Sequence, residues 1–90
     1  MIEQTAVIAN PLGLHARPAA QFVRMASSFA ADIIVGKDGV EINGKSIMGV
    51  MMLSAECGAS LLIRAAGPDE AEAVVALTDL VQGGFGEAQP

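Results

Sequence analysis

The sequence contains no tryptophan and no tyrosine, only three phenylalanines, and a single cysteine and a single histidine. Each scarcity removes a class of explanation. Without Trp and Tyr the core must be built from Ala, Val, Ile, Leu and Met, which offers little for an aromatic ligand to stack on. The lone Cys57 cannot form an internal disulfide, and one His with one distant Cys falls short of the three or four ligands a zinc site takes. No metal and no cofactor are therefore expected. Five basic residues stand against ten acidic ones, for a net charge of -5, and the bases are scattered singly. That distribution disfavours nucleic acid and anionic membranes as partners. Long apolar runs are missing too: the densest, Ile47 to Leu53, is about a third of the roughly 20 residues that cross a bilayer. The opening Met-Ile-Glu-Gln-Thr has no basic region leading into an apolar one. A cytoplasmic, unprocessed chain without membrane insertion is expected.

What is present is 90 residues of 52% hydrophobic content, enough for one domain over 1–90 that buries roughly 60–65% of its unfolded surface. From Ile2 to Ala9, Ala6 and Ile8 fall on one face and Thr5 and Val7 on the other, as in a half-buried strand. Between Ala16 and Phe29, apolar Ala16, Ala19, Ala20, Val23 and Ala26 keep helical spacing. Ala31 to Lys37 and Val40 to Asn43 flank Asp38-Gly39, a hairpin dipeptide. Ile47 to Leu53 suits two helical turns, and Ser60 to Ala66 reads as a strand. Asp69, with Glu72 three residues on, forms a variant capping box for a last helix whose apolar positions are Ala71, Val74, Val75, Thr78 and Val81. Gly83-Gly84 stops that helix, and residues 85–90 are expected to fray. The order βαββαβα implies an α+β fold, one four-stranded antiparallel sheet covered on one face by three helices.

His15 stands where the turn Asn10-Pro11-Leu12-Gly13-Leu14 meets the first helix. At a helix N-terminus unpaired N–H groups and the macrodipole present partial positive charge. An imidazolium is disfavoured there, so a neutral, nucleophilic ring is expected. A phosphoryl group on that ring would face free N–H donors. Arg17 adds a planar fork matched to phosphate oxygens, and Pro18 loses an N–H that had no partner. The plainer alternative is that His15 is a cap or a surface residue. No acid marks a relay partner.

Ser46 opens the next helical segment as an N-cap, where a phosphate would be tolerated by the dipole beside Lys45. A purely structural cap is the alternative. In Ile47-Met48-Gly49-Val50-Met51-Met52, the spacing puts Ile47, Val50 and Met51 on one side and leaves Met48 and Met52 toward the rim. Adaptable Met side chains suit a docking surface. Gly44-Lys45-Ser46 ends like a phosphate-binding loop but lacks the strand-to-long-helix context. Cys57 reads as a small loop filler without chemistry.

Gly13-Leu14-His15-Ala16-Arg17-Pro18-Ala19 and Gly44-Lys45-Ser46-Ile47-Met48-Gly49-Val50-Met51 resemble the two signature segments of the HPr family, phosphocarriers of the phosphoenolpyruvate-dependent phosphotransferase system. Gly67-Pro68-Asp69-Glu70 is also typical of that family, and the likeness spans nearly the whole chain. The resemblance implies an open-faced β-sandwich and a monomer that is a stoichiometric carrier, not an enzyme. It implies that His15 takes a phosphoryl group from enzyme I, at Nδ1, and gives it to a histidine of an EIIA protein. It implies that Arg17 steadies the group, and that Arg24, Ile47, Met48 and Met51 meet both partners. Ser46 matches a regulatory serine modified by HPr kinase/phosphorylase, which would weaken acceptance from enzyme I. Gly44, Met51-Met52 and Gly83-Gly84-Phe85-Gly86-Glu87 look more like the proteobacterial and nitrogen-related branch, so the pathway, sugar or nitrogen, stays open. A rival reading is a regulatory module that binds a partner through Met48 to Met52, with Ser46 as its modified residue and His15 a mere cap.

Overall fold

A computed structural model describes residues 1–87. The chain runs β1 (Ile2–Val7), α1 (Ala16–Ser27), β2 (Asp32–Lys37), β3 (Val40–Asn43), α2 (Ile47–Met52), β4 (Ser60–Ala66) and α3 (Glu70–Gln82), then a 3₁₀ turn at Gly84–Gly86. The strands form one sheet in the order β1-β4-β2-β3, every neighbouring pair antiparallel. Period-two alternation sets its inner layer: Ala6, Leu61, Ile63, Ala65, Ile33 and Val35 are buried, and the register places Ala6 opposite Leu61 and Val35 opposite Ile63. Asp38 and Gly39 turn the β2–β3 hairpin with φ of 52° and 83°, the left-handed pair a tight two-residue turn needs. On the sheet's other face Arg64 of β4 links both edge strands, its Nε 3.2 Å from Glu3 Oε2 of β1 and its Nη2 3.1 Å from Glu41 Oε2 of β3.

α1 and α3 both cover the inner layer, but each presents a stripe rotated from the one its spacing suggested. In α1 the buried residues are Pro18, Ala19, Phe22 and Ala26, while Ala16 is exposed. Phe22, with the largest side chain in the segment, takes the centre and turns the small alanines to either side of it. In α3 the buried set is Ala73, Val74, Leu77, Thr78 and Val81, and the expected Ala71 and Val75 face solvent. Adjacent Val74 and Val75 point about 100° apart, so only one can meet the sheet.

The capping expectation for α3 is also corrected. Asp69 holds the N-cap position, yet its carboxylate makes no cap bond. It instead accepts from the N–H groups of Ala30 and Ala31, each at 2.8 Å, tying α3 to the entrance of β2. These bonds hold its carboxyl below the usual carboxylate range. The reach back toward the helix start is made by Glu70, not Glu72: Glu70 Oε1 accepts from the Gly67 N–H, and Oε2 pairs with the Met1 amino group at 2.9 Å.

The expected fray does not begin at Phe85. Gly84, Phe85 and Gly86 all take positive φ, between 58° and 73°, which bends the chain back after α3. Phe85 is thereby buried against the core, at 4% exposure. Glycines that read as a stop also serve as a hinge around one apolar anchor. Residues 88–90, the remainder of that expected tail, lie outside the described residues.

Candidate functional site

The loop between β1 and α1 is fixed by backbone bonds to the segment before β4. Ile8 N–H donates to Ala59, Gly58 N–H to Ile8, and Leu14 N–H to Ala55, at 2.8–2.9 Å. Gly13 has φ of 68°, and a Cβ there would run into the Ala55 carbonyl, so the close approach needs glycine. Leu14 tucks into the core, at 6% exposure. The chain then emerges at His15.

His15 is the N-cap of α1, in extended backbone conformation, and its carbonyl accepts the Ala19 N–H. Its ring makes no cap bond. The first-turn amides are thus not satisfied by a side-chain cap, and no acidic residue occupies that turn. The imidazole is 37% exposed, with Nε2 2.8 Å from Glu87 Oε2. A carboxylate accepts, so whenever the ring is neutral this contact favours the tautomer with its proton on Nε2 and its lone pair on Nδ1. Arg17, two residues into the helix, is exposed and forms no ion pair among the described residues.

Behind the ring lies Asn10, fully buried. Its Nδ2 donates to the Gly13 carbonyl at 2.7 Å and to Glu87 Oε1 at 2.8 Å. Its Oδ1 has no partner among the described residues. The sequence reading missed both Asn10 and Glu87 as site residues, taking one as a turn former and the other as tail. The usable signal was an apolar Phe85 bracketed by glycines, which marks a returning chain.

Ser46 caps α2, its Oγ accepting from the Gly49 N–H at 3.1 Å. The neighbouring Lys45 does not attend it: its Nζ donates to the Phe29 carbonyl at 2.8 Å, past the end of α1. Of the six residues of α2 only Val50 is buried. Ile47 and Met51, expected inward, are 42% and 43% exposed, and Met48 and Met52 more than 70%. One turn and a half of helix has room for one inward side chain here, so the apolar surface is broader than expected. α2 packs against α1, whose exposed Arg24 lies in its last turn. No hydrogen bond or ion pair joins His15, Arg17 and Ser46 among the described residues; the packing of the two helices is what connects them. Cys57 is exposed and does not fill the loop.

The family model described as the PTS HPr component phosphorylation site matches residues 2–83. The phosphocarrier protein HPr of Neisseria meningitidis serogroup A is 48% identical over 89 residues, 99% of this chain and 100% of that protein. The crystal structure of HPr-C-His from Thermoanaerobacter tengcongensis superposes with a TM-score of 0.93 at 50% identity, covering 98% of this chain and 99% of that one. An HPr dimer from the same organism matches with a TM-score of 0.77 at 50% identity, over 97% of this chain and 100% of that one. With both signature segments, the fold and the match all in agreement, the chain belongs to the HPr family, the phosphocarriers of the phosphotransferase system.

Proposed function

We propose that His15 is the carrier residue, loaded by the phosphohistidine of enzyme I and unloaded onto a histidine of an EIIA protein. The observation that carries this is a ring at the head of α1 that caps nothing and has its Nε2 engaged by Glu87, which leaves Nδ1 as the nitrogen to attack. Nδ1 attacks the phosphorus in line, the new N–P bond forms as the donor's N–P bond breaks, and the donor imidazole leaves with the electron pair. The phosphoryl oxygens then meet the first-turn amides and the guanidinium of Arg17. No net product forms on this chain alone, so it acts as a stoichiometric carrier and not as an enzyme.

Arg24, Ile47, Met48 and Met51 form the docking surface for enzyme I and EIIA in this reading, supported by the exposure of the three apolar side chains. Ser46 is the regulatory site for an HPr kinase/phosphorylase, and a phosphate there would set charge beside that apolar surface. Residues 1–90 act as one domain and a cytoplasmic monomer, although the dimer of a relative makes oligomeric state a quantity to measure. No cofactor takes part.

Incubation with enzyme I and phosphoenolpyruvate tests the proposal. Acid-labile phosphate on the native chain and none on His15→Ala is the expected result; equal labelling of both chains overturns it.

A further inference from the structure

We infer that Asn10 is a positioning residue for His15, acting through the carboxylate of Glu87 and the carbonyl of Gly13; this rests on the reading of His15 as the phosphoryl acceptor. The two hydrogens of Nδ2 are both committed, one to Gly13 O and one to Glu87 Oε1. Rotating the amide by half a turn would set its oxygen against a carbonyl and a carboxylate, so a single orientation is allowed. Glu87 then spends its other oxygen on His15 Nε2.

The second arm reaches the same histidine from below. The Gly13 carbonyl that Asn10 grips also accepts the backbone N–H of His15, at 3.0 Å. Asn10 therefore fixes the acceptor of the His15 main chain and, through Glu87, the acceptor of its ring. Asn10 thus holds one oxygen of the Glu87 carboxylate at 2.8 Å while the other oxygen meets the ring at 2.8 Å. An in-line attack tolerates only a narrow range of ring orientations. A side chain that merely filled this space would be apolar; the asparagine leaves its own oxygen unpaired among the described residues while both donors point at the site.

Ring ¹⁵N shifts of His15 test the inference, because they report which nitrogen carries the proton whether or not any phosphate is transferred. The ratio of the Nε2–H to the Nδ1–H tautomer should fall about fivefold in Asn10→Ala, the effect of losing one hydrogen bond. Glu87→Ala should cause a similar fall, and the double variant no further one. Acceptance from enzyme I should slow in Asn10→Ala with its KM for enzyme I unchanged. An unaltered ratio in a folded Asn10→Ala chain, or additive losses in the double variant, overturns the inference. Should Asn10→Ala not fold, Glu87→Ala decides: the Asn10 side-chain amide protons must lose exchange protection as the tautomer ratio falls, and retained protection overturns it. A native chain that enzyme I cannot label would instead sink the reading of His15 as acceptor, a separate result.

Discussion

Glu87 and His15, 72 positions apart, meet with 2.8 Å between Oε2 and Nε2. Glu87 follows directly on the turn at Gly84–Gly86, in which Phe85 is the buried anchor. Phe85→Ala is expected to cost about 3 kcal/mol in denaturant unfolding, as for other buried aromatics, and to slow phosphoryl acceptance as well. Full retention of stability would mean that the turn at Gly84–Gly86 holds without its side chain.

Asp69 gives the fold an acid-sensitive tie. Its folded carboxyl titrates below the usual range because Ala30 and Ala31 donate to it. A depressed pKa adds stability above the unfolded value of about 3.9 and loses it as pH falls through the folded value. Glu70, lowered by the Gly67 N–H and the Met1 amino group, acts in the same direction. Thermal melts of Asp69→Asn should therefore lose stability near neutral pH and show a flatter decline than the native chain between about pH 5 and pH 3. Parallel profiles would contradict this.

Arg17 separates charge from geometry. With its fork removed in Arg17→Ala, the rate of acceptance from enzyme I should fall about tenfold or more, the scale of one charge-assisted hydrogen bond. Arg17→Lys should recover only part of the loss, because a point charge lacks the two-point match. Stopped-flow or quench labelling reads both rates, and the melting temperature should be unchanged in either variant.

Ser46 separates capping from regulation. Ser46→Ala removes the acceptor for the Gly49 N–H, worth about 1 kcal/mol, or about 4–8 °C in melting temperature for a domain of this size. Ser46→Asp keeps an acceptor at the cap and should stay as stable as the native chain, yet accept phosphate from enzyme I more slowly. Equal rates in the Asp and native chains would remove the regulatory reading and leave the cap.

Local signals carried most of the architecture. Alternation in Ile2 to Ala9, the Leu- and Ile-rich run Ser60 to Ala66, the Asp38-Gly39 turn and the spacing after Ala16 each describe neighbours in sequence, and strands β1, β3 and β4 and helix α1 follow them closely. His15 at a helix start and Ser46 as a cap were legible for the same reason. Contacts across the chain were not. Asp69 reaches Ala31 over 38 positions and Asn10 reaches Glu87 over 77, and periodicity says nothing about such partners. The exposure of Ile47 and Met51 was missed because spacing within one short helix names a face without saying what covers it.

The start of α1 has one more bearing on the proposed cycle. No side chain closes its first turn, so the helix is left open at its mouth, and in the proposed cycle the incoming phosphoryl oxygens would complete it. On that reading loading would stiffen the very backbone that holds the cargo, and release would slacken it again. Local amide exchange at Ala16 and Arg17 becomes a gauge of occupancy, slow when the molecule is full and fast when it is spent.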